Sequence, residues 1–279
     1  MPITEADRQY LKYKNRGGKN NAKGNRYENY YAVFQIALLL NSHHERLDDV
    51  YLTTQLSNAF VDDLLIGIGK SNKTYHQIKD VKDLSWNTGN LKYDFERQKE
   101  ICLENKETFS LKLVHSNQDN HQKLVEIPKE FSDCTNIELF PAYSELGQLY
   151  WNYQPLKDAI AEIVAEGEND DSVLYGVAGS ILGAWESVNA EIPVSLKQIR
   201  ENISKINPYD PLKNYPTIEL PDGCKKILGD IGVTFHTNGQ MLYWKYGYFE
   251  GRKEWTKEIE QNLQNNVPTK IEELISILS

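Results

Sequence analysis

The stretch "FVDDLLIGIGKSNKTYHQIKDVKD" opens its first apolar run with Asp62 and Asp63 and closes its second with Gln77-x-Lys79. A carboxylate and an amide carbonyl are hard oxygen donors suited to Mg²⁺. That ion keeps several waters and takes one or two protein carboxylates alongside substrate phosphate. An ammonium beside such an ion can lower the pKa of an attacking water or stabilise charge on a phosphate in the transition state. Asp63, Gln77 and Lys79 together therefore fit hydrolysis of a phosphodiester. The plain alternative is a solvent-facing hairpin with an Asp63–Lys79 cross-strand salt bridge, worth about 0–1 kcal/mol.

Either reading needs the two runs to pair as antiparallel strands, Asp62 to Ile68 and Lys73 to Lys79. A turn centred near Ser71 places Asp63 opposite Lys79 and Leu65 opposite Gln77. Because side chains alternate along a strand, Asp63, Gln77 and Lys79 then share one face, and Leu64, Ile66 and Ile78 point the other way into a core. Around the hairpin, "GNRYENYYAVFQIALLLNSH" has the periodicity of a helix from about Asn25 to Leu40, with Tyr27, Tyr31, Phe34, Ala37 and Leu38 on one stripe. The Gly- and Asn-rich "NRGGKNNAKGN" reads as a loop feeding it. Asp49–Leu56 and Thr108–Ser116 read as further strands, and a helix ending near Asn105 carries Leu91, Phe95, Gln98 and Cys102 on one side.

The fold class expected is α/β (α+β), a mixed sheet flanked by helices and followed by a mostly helical C-terminal region with a β-hairpin. A change of character near residue 140 suggests two domains, 1–139 and 140–279. In the second, "GVTFHTNGQMLYWKYG" has Asn-Gly between alternating runs, a strong hairpin signal, and Glu254–Leu278 reads as one closing helix. The "GVAGSILG" segment lacks the Gly-Lys-Ser/Thr ending of a phosphate loop.

The composition, 279 residues with 40% hydrophobic, is that of a globular chain. Its start has no apolar signal core and no run is long enough to span a bilayer, so a cytoplasmic protein without a membrane partner is expected. Cys102, Cys134 and Cys224 form no CxxC pair, and the six histidines have no zinc-ligand spacing. The net charge of −9 opposes a polyanionic partner, but its distribution does not. Up to Arg26, the bases Arg8, Lys12, Lys14, Arg16, Lys19, Lys23 and Arg26 meet only Glu5 and Asp7, whereas Pro141–Arg200 holds nine acids against three bases. One basic face toward phosphate, or a merely solvated basic arm, gives this pattern.

The order of a Glu-bearing helix ("GNRYENYYA"), a strand opening with Asp ("VDDLLIG") and a strand ending Gln-x-Lys ("YHQIKD") resembles the PD-(D/E)xK nuclease superfamily. It is most similar to the branch in which Gln replaces the acid of the last motif. That branch includes Mrr-like restriction enzymes and the double-stranded DNA endonuclease effectors of bacterial antiphage systems of the CBASS and Lamassu kinds. "RGGKNNAKGNRYENYYA" and "VKDLSWNTGNLKYDFERQ" extend the likeness over about residues 16 to 116.

The resemblance implies a restriction-endonuclease-like fold for residues 1–139 and a Mg²⁺- or Mn²⁺-dependent endonuclease acting on double-stranded DNA. Under it Asp63 is the principal metal ligand, Gln77 the second, Lys79 the catalytic lysine and Glu28 the supporting acid, with Asp62 a helper at the metal or a bystander. Lys14, Arg16, Lys19, Lys23 and Arg26 are then the candidate DNA contacts. Gln in place of Glu removes one negative charge and leaves the metal count open. A Lamassu-like setting further implies an SMC-like ATPase and an accessory subunit that hold the nuclease inactive until it oligomerises. Residues 140–279 are the expected oligomerisation or partner-binding region. The rival expectation is an inactive subunit that keeps the nuclease fold for DNA binding or interaction.

Overall fold

A computed structural model gives the architecture. It describes residues 3–18, 22–165, 168–207, 211–213, 218–238 and 241–278; for residues 12–18, 22–24, 238 and 241 it describes the backbone alone. The chain divides into two compact units, residues 1–42 with 47–213, and residues 43–46 with 214–279.

The first unit begins with helices α1 (Glu5–Gly18) and α2 (Ala22–Ser42), so helix covers most of the segment expected to be a Gly- and Asn-rich loop. Strands β1 (Val50–Thr53), β2 (Leu64–Ile68) and β3 (Asn72–Lys79) follow as an antiparallel meander. Helix α3 (Leu91–Glu104) crosses over to β4 (Thr108–His115), and α4 (Gln118–Leu124) leads to β5 (Thr135–Leu139); both β4 and β5 run parallel to β3. Helices α5 (Leu146–Asn152), α6 (Gln154–Ala161) and α7 (Asp171–Glu186) precede a two-residue strand β6 (Val194–Ser195) and helix α8 (Leu196–Ile206). The result is a six-stranded mixed sheet, order β5-β4-β3-β2-β1-β6, with helices on both faces.

The two faces have separate cores. Leu64, Ile66, Ile78 and Val114 join the apolar residues of α2 and α5–α8, while Leu65, Tyr75, Leu111 and Leu113 pack with Phe95 and Cys102 of α3 and with Trp86 and Phe131. Every residue from Tyr30 to Ala37 is buried, so the middle of α2 is covered all round rather than along the single stripe the periodicity suggested, although Leu38 of that stripe is exposed. The cause is its place as a central rod: α7 and α6 pack over the side turned away from the sheet. The boundary expected near residue 140 falls inside this unit, because α5–α8 share the α2 core and β6 pairs with β1.

The second unit holds α9 (Asp222–Asp230) and an antiparallel sheet of β7 (Thr234–Asn238), β8 (Met241–Tyr246) and β9 (Phe249–Glu254). The Gly239–Gln240 part of the expected turn lies outside the described residues. The closing helix is two, α10 (Lys257–Asn265) and α11 (Ile271–Leu278), since Pro268 has no N–H to continue α10 and its ring clashes with the preceding turn. No helix among the described residues is long and apolar enough to cross a membrane.

Several contacts fix the loop that delivers Asp62 and Asp63. The Gln98 Oε1 of α3, buried, accepts the backbone N–H of Phe60 at 2.8 Å and of Val61 at 3.3 Å. Leu11 of α1 packs against the Phe60 ring, and Tyr10 stacks on it with centroids 5.9 Å apart. Helix α1 is itself tied to α3 by Asp7, whose carboxylate meets Arg97 at 2.8 Å and the Tyr93 hydroxyl at 2.9 Å. Burial alone would raise the Asp7 pKa, but hydrogen bonds from Thr4, Tyr93 and Arg97 outweigh it and hold the group at about 2.

The Gln98 contacts generate a prediction. Gln98→Met keeps the volume but strands two buried N–H groups, each costing about 1–3 kcal/mol. Thermal unfolding of this variant should show Tm lower by about 5–10 °C. A Tm within about 2 °C of wild type would show that Gln98 does not hold the loop.

Candidate active site

The hairpin register is the one that decides the site. Leu65 faces Tyr75 and Ile68 faces Asn72, so Gly69, Lys70 and Ser71 make a three-residue loop in which Gly69 takes a left-handed φ of +64°. This corrects the expected register, in which Leu65 faced Gln77, by two residues. A shift of two leaves every side chain on its expected face, where a shift of one would have reversed all of them.

Asp63 lies one residue before β2, and its side chain completes the end of the ladder. Its Oδ2 accepts the Ile78 N–H at 2.7 Å, the Lys79 Nζ at 3.1 Å and the Gln77 Nε2. Asp63, Gln77 and Lys79 therefore converge, on a single carboxylate oxygen. The expected Asp63–Lys79 ion pair is present, but both partners are at least half-buried, which separates it from an ordinary surface bridge. Gln77 is fully buried and presents its amide nitrogen to Asp63. The carbonyl-ligand role expected of it requires the amide plane to turn over.

Glu28 reaches the same place from α2. It and Asp63 line one cleft of about 350 Å³ together with Asn25, Gln55 and Trp185. Burial first, then the Asp63 charge, push the Glu28 carboxyl up to about 8, with Lys79 opposing the rise and Asp62 adding to it. Asp62 is buried and does not line the cleft, although its charge reaches both Glu28 and Tyr10 of α1.

The donor set suits a hard divalent cation. Glu28 and Asp63 present carboxyl oxygens to the cleft, and Gln77 and Lys79 meet Asp63 from outside its lining. No group of three or more His, Cys, Asp or Glu able to hold a metal occurs among the described residues. Two carboxylates with room for water and phosphate match Mg²⁺ or Mn²⁺ better than the closed tetrahedral sets of structural zinc.

The basic residues are placed in part. Arg26 is exposed and donates to the Ser144 carbonyl at 3.0 Å. Lys14 and Arg16 belong to α1 and Lys23 to α2, with side chains outside the described set, and Lys19 lies outside the described residues. Lys14 to Lys23 lie in sequence between Leu11, clustered with Phe60, and Asn25, which lines the cleft, and Arg26 follows directly.

Three contributors were not found by sequence reasoning. Gln98 holds the Asp62–Asp63 loop; its place on the buried side of a helix was a signal, since a buried amide needs partners. Trp185 walls the cleft and donates from Nε1 to Asn29 Oδ1 at 3.3 Å, a long-range contact with no local signature. Gln55 has φ +54°, which no local turn motif announces.

The carboxyl of Glu28 generates a pH prediction. An ordinary glutamate ionises near 4.5, while Glu28 in the folded chain keeps its proton to about 8. Between those values the folded state binds more protons than the unfolded one, so stability falls as pH rises. In EDTA, Glu28→Gln should raise Tm relative to wild type by more at pH 8 than at pH 5, where both side chains are neutral. Mg²⁺ at pH 8 should raise the Tm of wild type more than that of Glu28→Gln. Equal Tm differences at both pH values would show that Glu28 is not buried against Asp63.

Comparisons of the chain with protein-family models, with curated proteins and with solved structures gave no match.

Proposed function

We propose that this chain is a metal-dependent endonuclease that cleaves phosphodiester bonds of double-stranded DNA. The observation that carries the reading is the convergence of Gln77 and Lys79 on Asp63, which lines the same cleft as the destabilised carboxyl of Glu28. A structural ion pair needs no third donor and no second carboxylate pressed against it. Perturbed acids grouped in a cleft mark functional sites more often than structural ones.

A divalent cation bound between Glu28 and Asp63 would offset their mutual repulsion and polarise the phosphate. Glu28 loses its proton when such a charge is placed beside it, and so acts as a ligand only in the loaded site. Asp63 is kept in one orientation by the Ile78 N–H, which fixes where the phosphate is presented. The Lys79 ammonium, 3.1 Å from that oxygen, supplies positive charge to the phosphate or to the attacking water. The basic segment bounded by Leu11 and Asn25 suits the flanking DNA backbone, since phosphate contacts come chiefly from Lys and Arg.

The Gln-x-Lys motif supports the further reading that the enzyme is the effector nuclease of a bacterial antiphage defence system of the Lamassu kind. On that reading it is cytoplasmic, an SMC-like ATPase and an accessory subunit restrain it, and it oligomerises when active. The acidic helices beyond residue 140 suit self-association or partner binding better than DNA.

The test is cleavage of supercoiled plasmid with Mg²⁺, with Mn²⁺ and with EDTA, using a duplex and a single-stranded RNA as competing substrates. Wild type should nick or linearise the plasmid only with metal, and Lys79→Ala should lower the rate by about 100-fold or more. Its Tm should stay near that of wild type, because Asp63 keeps the Ile78 and Gln77 donors. Undiminished cutting by Lys79→Ala would sink the assignment, and preferential cutting of RNA would move it to another substrate.

A further inference from the structure

The cleft that holds Glu28 and Asp63 extends well beyond them, between α2, α7 and the chain leaving β1. Among its lining residues none is lysine or arginine, and Glu191 adds another acid at the wall. No side chain that lines it therefore offers a phosphate a counter-charge; on the nuclease reading that charge comes from Lys79, at the Asp63 end, and from the cation held there. The rest of the lining is of another kind: the amides of Asn25, Asn29 and Gln55, the Thr54 hydroxyl and the indole of Trp185. Groups that both donate and accept, against an aromatic wall, match the edge and face of a nucleobase.

Gln55 is the unusual member. Its φ of +54° is a left-handed conformation that a side chain other than Gly, Asn or Asp rarely adopts. The strain is imposed from both sides. The preceding Thr54 N–H is bound to the Ala190 carbonyl at 2.7 Å, and the following Leu56 N–H reaches the Asp62 carbonyl at 3.4 Å. The Thr53 hydroxyl also donates to the Ala190 carbonyl at 2.9 Å, so the end of β1 is fixed to the chain that follows α7. Glycine would fit that backbone better, yet the position carries an amide that lines the cleft. Strained backbone of this kind gathers at ligand sites, where one side chain must be aimed. Asn29, by contrast, is already committed: its Oδ1 takes the Trp185 N–H and its Nδ2 donates to Glu186 at 3.1 Å.

We propose that this cleft receives the base of a nucleotide beside the scissile phosphate, and that the Gln55 amide reads an adenine edge, accepting from its amine and donating to the neighbouring ring nitrogen. The inference rests on the nuclease reading above and adds to it a base preference and the residue that sets it. Gln and Asn pair with adenine in this two-bond manner because its amine and ring nitrogen lie side by side.

The experiment uses the full chain and a pool of duplexes with a randomised central segment, cut in Mg²⁺ and sequenced at the new ends. Wild type should show adenine enriched about tenfold at one position within about two nucleotides of the cut, as expected for one bidentate pair. Gln55→Gly should reduce that enrichment below about twofold, with a Tm equal to or above wild type because the left-handed backbone suits glycine. Gln55→Asn, which keeps the amide and tolerates the backbone, should retain part of the preference. A flat wild-type profile, or an unchanged adenine preference in Gln55→Gly, overturns the inference while Lys79-dependent ends leave the nuclease reading standing. Ends that are the same in wild type and Lys79→Ala defeat the nuclease reading, and this inference with it.

Discussion

The Asp63 carboxylate has to stay in place, largely buried, at the end of a sheet, and much of the first unit is arranged to meet that condition. Burying a carboxylate is costly unless hydrogen bonds replace its hydration. Here one oxygen takes a backbone N–H, an ammonium and an amide N–H, of which the first is fixed by the sheet itself. Because Ile78 belongs to β3, its N–H cannot move without disturbing the pairing of β3 with β2 and with the parallel strand β4. The direction of the Asp63 side chain is thus inherited from the register of three strands rather than from its own rotamer preference.

The backbone carrying Asp63 has a separate support. Residues Phe60 and Val61 are not in a strand, and their N–H groups would be unsatisfied among apolar neighbours without the Gln98 carbonyl. Helix α3 can supply that carbonyl because the crossover from β3 to β4 lays it over the same face of the sheet. Helix α1 closes the loop from outside through Tyr10 and Leu11, and depends for its own position on the buried Asp7–Arg97 pair. Removing one partner of such a pair leaves a buried charge, so its weight lies in holding α1 to one seat rather than in net stability.

What the sequence made legible follows from which features are periodic. The site trio was readable because strand alternation has a period of two, so that even a turn misplaced by two residues kept Asp63, Gln77 and Lys79 together. The mixed sheet was readable for the same reason. The all-round burial of α2 from Tyr30 to Ala37 was not, because it depends on α6 and α7 folding back over it, and no local pattern in "YENYYAVFQIALLL" specifies a cover from residues more than a hundred positions away. Strand β6 was likewise hidden: two residues carry no alternation, and Val194–Ser195 pairs only because β1 offers an open edge. The division near residue 140 followed a change in composition, while compactness follows packing, and the acidic surface of α5–α8 says nothing about the apolar side they turn to α2. Pro268 was a plain signal within the reading of one closing helix, and its effect is the break between α10 and α11.

The charges in the cleft give the site its own logic. Two carboxylates, Glu28 and Asp63, face a shared space with one ammonium beside them, and Asp62 adds its field from behind. In the absence of further positive charge the least costly solution is a proton on Glu28, the group that lacks the backbone and lysine donors Asp63 enjoys. Were a divalent cation to bind these carboxyls, as the proposed function requires, it would compete with that proton for the same oxygens, and its affinity would weaken as pH falls below about 8. A glutamine at position 77 adds no charge to this pair, where an acid there would add a third carboxylate. On the proposed function, a cation held by Glu28 and Asp63 would need water and substrate phosphate to complete its shell, so that metal and nucleic acid would each strengthen the binding of the other.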